Sequence, residues 1–276
     1  WHDDQQGTAT VVLAGLINAL KVVNKRMSEV RVAMAGAGAS GIRTAWLIIA
    51  AGVCPGNIVM CDSKGTLHRE RTDLEVKYPE KWELAKVTNL DNLKGDIPDA
   101  MEGADVLIAL SQPGPDTIKK EWIAKMAPGP VVFVCANPVP EIFPWDAKEA
   151  GARIIATGRS DFPNQINNSL GFPGIFRGTL DVRARTITDE MCIAAAHELA
   201  SCAEDKGIHE EYIIPTMDEW EVFPREATAV GLKAIEQGVA RIKLTEQELL
   251  ETASSRIKRA REETGVLMQE GFIKMP

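Results

Sequence analysis

Aromatic residues make up only 5% of these 276 positions, and just two are tyrosines, Tyr78 and Tyr212. Any tyrosine acid–base chemistry within the chain must come from those two. Cysteines are five, an odd number, at Cys54, Cys61, Cys135, Cys192 and Cys202. None forms a C-x-x-C pair, so neither a zinc ribbon nor a redox dithiol is suggested. Three lie in or beside apolar runs, which predicts reduced, buried structural thiols and a cytoplasmic setting. The four histidines, His2, His68, His197 and His209, have no metal-ligand spacing among themselves. Positive charge is short: 31 Lys and Arg against 39 Asp and Glu give a net charge of −8. That balance argues against a nucleic-acid or anionic-membrane partner. No apolar stretch is long and charge-free enough to span a bilayer, and no secretory pattern, internal repeat or low-complexity linker is read. The first residue is Trp1 rather than Met, so the expectation is a piece of a longer polypeptide.

What is present is concentrated in one turn. An apolar run over 30–35 leads into Gly36-Ala37-Gly38-Ala39-Ser40-Gly41, a G-x-G-x-x-G. An apolar helical run over 42–51 follows, then a second strand-like run over 58–61 that ends in Asp62. The acid comes about twenty positions after the last glycine, the spacing of a dinucleotide-binding βαβ unit. Each glycine has a physical reason. Gly36 permits the tight turn, Gly38 lets backbone approach a pyrophosphate, and Gly41 allows close helix packing. Free N–H groups at the helix start, with Ala39 and Ser40, attract phosphate, and Asp62 can accept from an adenosine ribose. Ser63 and Lys64 beside it could instead accommodate a 2′-phosphate, so NAD and NADP both stay open.

Around this unit the pattern predicts an α/β fold. Residues 8–24 carry a helical stripe through Ala9, Val12, Leu13, Leu16, Leu20 and Val23. Continuous apolar runs over 105–110, 131–135 and 153–156 read as buried strands, and stretches 78–85 and 118–126 as short helices. Such alternation means a mostly parallel, doubly wound sheet covered on both faces. The runs end at Gly36, Asp62, Ser111, Asn137 and Gly158, whose loops are expected to line one crevice beyond the strand ends. From 187 onward the chain turns helical, with helices predicted over 188–206, 224–238 and 245–263, two of them starting at Thr188 and Thr245. The predicted division is a dinucleotide-binding domain over 1–240 and a helical C-terminal extension over 241–276.

A second constellation opens the chain: Trp1-His2-Asp3-Asp4-Gln5-Gln6-Gly7-Thr8-Ala9. Two adjacent carboxylates before a helix can cap it, or can ligate a hard divalent cation. Alone, this segment favours capping. Taken with Gly36–Gly41, Asp62-Ser63-Lys64-Gly65, Cys135-Ala136-Asn137-Pro138-Val139-Pro140-Glu141-Ile142, the string from Ala156 to Asn168 and Phe172-Pro173-Gly174, it resembles the cofactor-binding half of malic enzymes, the shorter prokaryotic type above all.

The resemblance implies oxidative decarboxylation of malate to pyruvate and CO2, with NAD or NADP and Mg²⁺ or Mn²⁺. It implies that Asp4 ligates the metal and that Asp3 sits beside a catalytic lysine. Thr8 and Ser111 would lie near the cofactor, and Asn137, Asn167 and Asn168 would hold substrate or nicotinamide. It also implies a homodimer or larger homo-oligomer acting on a small molecule. The family's tyrosine–lysine pair and its remaining metal ligands belong to an N-terminal domain not seen in these residues, so this chain alone is expected to be inactive. Malolactic enzyme is a close alternative. A non-catalytic nucleotide sensor and an amino-acid or tetrahydrofolate dehydrogenase domain are more distant ones, since none of these needs the His-Asp-Asp-Gln segment.

Overall fold

The computed structural model describes residues 1–274. Met275 and Pro276, the end of the predicted extension, lie outside the described residues. A π-helical turn, Asp3–Gly7, leads into α1 (Thr8–Val22). The first βαβ unit is β1 (Val32–Ala35), α2 (Ala39–Ala50) and β2 (Ile58–Asp62). A two-residue strand β3 (Gly65–Thr66) and helices α3 (Thr72–Lys77), α4 (Pro79–Val87) and α5 (Ile97–Met101) come next. Then follow β4 (Val106–Ala109), α6 (Lys120–Ile123), β5 (Val131–Val134), α7 (Pro144–Glu149) and β6 (Ile154–Thr157). Four longer helices close the chain: α8 (Phe172–Asp181), α9 (Asp189–Glu204), α10 (Val222–Glu236) and α11 (Glu246–Gln269).

The sheet order is β3-β2-β1-β4-β5-β6, parallel throughout except for the antiparallel edge β3. Order reverses between β1 and β4, the switch point where such sheets take ligands. Alternate strand residues face opposite layers. Val32, Met34, Ile58, Met60, Val106, Ile108, Val131 and Phe133 pack with α1, α2 and α9. Ala33, Ala35, Cys61, Leu107, Ala109, Val132 and Val134 pack with α5, α6 and α7. Burial on both faces explains why these strands read as unbroken apolar runs. A separate cluster joins α8, α9, α10 and the first half of α11 through Ile175, Met191, Val230 and Leu249.

Several expectations shift. The helix expected over 118–126 keeps only the single turn of α6, between Ser111-Gln112-Pro113-Gly114 upstream and Pro128-Gly129-Pro130 downstream. The last helix runs six residues past its expected end. Four cysteines are buried as expected, but Cys54 is exposed, ahead of the turn that enters β2. Burial pushes the Cys61 thiol up to about 12, so it stays a thiol. His197, within the helix predicted over 188–206, faces solvent.

Candidate active site: a glycine turn beside paired carboxylates

The turn after β1 is built by its glycines in ways that differ from one another. Gly36 has φ +112°, and a Cβ there would stand 2.4 Å from the Leu110 carbonyl oxygen at the end of β4. It thus needs glycine both for backbone conformation and for space. Gly41 packs against backbone too: a Cβ would fall 2.0 Å from the Gly36 carbonyl oxygen, so this glycine brings α2 onto the turn itself. Gly38 is different. Nothing lies within 4 Å of where its Cβ would be, and it serves as N-cap of α2 with no side-chain cap. The first N–H groups of α2 are therefore left for a ligand.

A crevice of about 470 Å³ opens over this turn, walled by Gly36, Ala37, Gly38, Cys61, Asp62, Ser63, Lys81, Ser111, Gln112 and Thr117. Of the five strand-end loops expected to share one crevice, three do. Asn137 and Gly158 stand beside it instead, packed on each other so closely that a Cβ at Gly158 would lie 2.8 Å from Asn137 Nδ2. The Arg159 guanidinium, paired with Asp161, also donates to the Pro138 carbonyl at 2.6 Å and folds these two loops together.

Asp62 ends β2, and its side chain is only 6% exposed. It accepts from Lys81 at 2.9 Å, from Arg71 at 3.3 Å through both oxygens, and from the Lys64 N–H at 2.9 Å. Burial pushes its carboxyl up, but the Arg71 and Lys81 bonds outweigh that and hold it below the usual carboxylate range. Arg71 and Lys81 come from just before α3 and from α4, and no sequence signal singled them out. Lys64, expected at the ribose, is 60% exposed and pairs with Asp73 at 3.3 Å. The crevice wall carries Lys81 rather than Lys64.

The N-terminal carboxylates stand on the other side of the same turn. Ser40 Oγ donates to the Asp4 main-chain carbonyl at 2.6 Å, tying the start of α2 to the π-helical turn. Asp3 Oδ2 accepts from Asn168 Nδ2 at 2.6 Å, and Asp4 Oδ1 from the same nitrogen at 3.5 Å. Asp3 Oδ1 is buried with no hydrogen-bond partner, lying over Gly7, where a Cβ would be 2.0 Å away. The Asp4 side chain is 78% exposed. Burial, then the neighbouring Asp4, raise the Asp3 carboxyl against the pull of Asn168. An orphaned carboxylate oxygen next to an open one is a hard-oxygen donor pair of the kind Mg²⁺ or Mn²⁺ takes. No group of three or more His, Cys, Asp and Glu could hold a metal ion among the described residues.

A family model described as malic enzyme, NAD binding domain, matches residues 5–237. The chain belongs to the malic enzyme family. It is 48% identical to a bifunctional malic/malolactic enzyme of Bacillus subtilis, over 91% of this chain and 60% of that protein. An NAD-dependent malic enzyme of Geobacillus stearothermophilus is 49% identical over 87% of this chain and 49% of its own length. The crystal structure of Entamoeba histolytica malic enzyme superposes with a TM-score of 0.98 at 53% identity, covering all of this chain and 57% of that one. NADP-dependent malic enzymes also stand among the relatives. The chain thus spans about half to three-fifths of the length of these proteins, and 33% of some other NADP-dependent relatives.

Within that family frame, the remaining expected site residues fall as follows. Thr8 begins α1 and Ala39 begins α2. Asn167 spends its amide internally: Nδ2 donates to the Gly158 carbonyl at 2.9 Å, and Oδ1 takes the Ser169 N–H and hydroxyl. It caps the turn that presents Asn168 to Asp3. Ser111 likewise gives its N–H and hydroxyl to Glu141. Glu141, Arg71 and Lys81 are the organising residues that sequence reasoning did not single out. All three act across the fold, at separations of 9 to 30 residues, where no local pattern reports them.

Proposed function

We propose that this chain is the dinucleotide-binding part of an enzyme that oxidises and decarboxylates malate to pyruvate and CO2. The observation that carries the reading is the Ser40–Asp4 hydrogen bond, which joins the paired carboxylates to the start of the glycine-turn helix. A sensor of nucleotides has no use for an orphaned carboxylate oxygen and an open carboxylate beside the turn. When bound, the dinucleotide supplies the hydride acceptor and a divalent cation supplies counter-charge for the developing oxyanion. Gly38 and the first N–H groups of α2 would receive the pyrophosphate. Asp62, with Arg71 and Lys81, would receive the adenosine ribose. Asp4 would ligate the cation through its open carboxylate. Asn168 would hold Asp3 in place and offer its amide to the substrate side without adding charge.

The cofactor choice follows from Asp62. Its carboxylate is already matched by two cations, so it does not stand as a bare negative charge against a 2′-phosphate. Use of both NAD and NADP is the outcome this arrangement supports. The acid–base pair is assigned outside these residues. Tyr212 donates its hydroxyl to Glu219 at 2.8 Å, and Tyr78 lies under the Lys81 ammonium, 4.8 Å from its ring centre. A cytoplasmic, homo-oligomeric enzyme is the setting that accompanies this reading. No helix of the described residues is long and apolar enough to cross a membrane.

The test is a spectrophotometric assay of a polypeptide that joins this chain to the N-terminal domain that the family resemblance implies. With malate and Mn²⁺ it is expected to release pyruvate and reduced dinucleotide in equal amounts. Malolactic chemistry, favoured as a second reading by the Bacillus subtilis relative, would give lactate with no net reduced dinucleotide. Absence of both products would remove the proposal.

A further inference from the structure

We propose that Glu141 is a positioning residue that fixes the half of the crevice farthest from Asp62, and so sets the affinity for the nicotinamide portion of the dinucleotide. The inference rests on the dinucleotide reading of the crevice. Glu141 follows β5 and its side chain is fully buried. One carboxylate oxygen accepts from the Ser111 N–H at 2.9 Å and the Ser111 hydroxyl at 3.2 Å. The other accepts from the Ala136 N–H at 3.1 Å. Its main-chain carbonyl takes the Ile118 N–H at 3.0 Å. One residue therefore ties both ends of the 111–118 loop after β4 to the loop after β5 that carries Asn137.

The chemistry of the side chain is specific. All three carboxylate partners donate, and two are backbone N–H groups that can do nothing else. Among side chains, only an ionised carboxylate offers two acceptor-only oxygens. Bonds of this kind are charge-assisted and stronger than neutral ones. Glutamine has the same shape but must turn an NH2 toward either Ser111 or Ala136, leaving a donor facing a donor.

Position gives the effect its polarity. Asp62 ends β2, and the glycine turn ends β1. Ser111 lies past β4, across the switch point from Asp62. A two-lobed ligand crossing that point with its adenosine toward Asp62 sets its other lobe toward Ser111. Loosening Glu141 should thus be felt by one lobe and not the other, which a general loss of stability would not produce.

The test titrates the wild-type chain and Glu141→Gln with the dinucleotide that the wild type binds more tightly, NAD⁺ or NADP⁺, and with ADP, which lacks the nicotinamide riboside. Glu141→Gln is expected to weaken the dinucleotide about tenfold or more while ADP changes by less than about twofold. Thermal unfolding and circular dichroism report whether the variant is folded. Should it fail to fold, Ser111→Ala, which deletes only the hydroxyl bond to Glu141, carries the same comparison with a smaller weakening of the dinucleotide. Equal weakening of both ligands, or of neither, in a folded variant overturns the assignment. A wild type that binds neither ligand overturns the dinucleotide reading and this inference with it.

Discussion

The Asp62 carboxylate is engaged by protein groups, and in the proposed reading this engagement sets cofactor choice at the scale of single residues. Two cations face one acid, and Lys81 is the one that lines the crevice. Lys81→Ala should weaken NADP⁺ binding roughly tenfold and NAD⁺ binding far less, because an ammonium near a 2′-phosphate is worth on the order of a few kcal/mol before solvation losses. Calorimetric titration of both ligands checks this, and equal losses would count against it. Spacing alone picked out Asp62. It could not pick out Arg71 or Lys81, whose helices have no fixed offset from the glycine turn. Glu226 on α10 offers a second residue-level test. It is fully buried, neither of its oxygens has a partner, and its carboxyl crowds Gly174 in the first turn of α8. Burial, with the charge of Glu198 adding to it, pushes its pKa well above the ordinary value of 4.5. The folded state then binds a proton that the unfolded state releases. The sign of the linkage is that stability is complete below the unfolded pKa and falls as pH rises toward the folded one. Glu226→Gln removes this dependence. The melting temperature of the variant minus that of the parent should grow between pH 4 and pH 8; a flat difference would show that Glu226 does not titrate between the two states.

Elements differ in how far sequence discloses them. The five parallel strands were legible because burial on both faces leaves unbroken apolar runs, and α1, α9 and α10 because they carry long stripes; the two-residue edge strand β3 was not. The helices α3, α5 and α7 were not, since five or six residues are too few to show a 3.6-residue period. The π-helical turn at Asp3–Gly7 had no signal either; its shape follows from Gly7 giving room to the Asp3 carboxylate. The two asparagines of the 167–168 pair looked equivalent in sequence, yet one caps a turn and the other meets the carboxylates, a division that only the backbone path decides. The helix α11 is joined to the rest by few buried residues, Leu249 and Ala253, with Leu249 seated over Gly231 and Arg256 reaching Asp181 at 2.8 Å. Leu249→Ala should cost about 2–4 kcal/mol of stability. Chemical denaturation measures it. A change below about 0.5 kcal/mol, the range of an indifferent surface substitution, would mean that α11 is not held by this contact.

The whole molecule brings two features to one end of a parallel sheet: the glycine turn proposed to receive phosphate and a pair of carboxylates, linked through Ser40. In the longer enzyme proposed here, Asp4→Asn should raise the Mn²⁺ concentration needed for half-maximal malate oxidation at least about tenfold, since a charged oxygen ligand is lost. An unchanged requirement would remove Asp4 from the metal shell. The central claim, that the Gly36–Gly41 turn receives a dinucleotide, meets its most direct test at Gly38. A Cβ there would touch nothing in the protein, so Gly38→Val should leave the chain folded while blocking the approach of a pyrophosphate. Calorimetric titration of the chain with NAD⁺ and NADP⁺ is the measurement. The account predicts binding by the wild type and a loss of at least about a hundredfold in a folded Gly38→Val; equal affinity in the two proteins would contradict it.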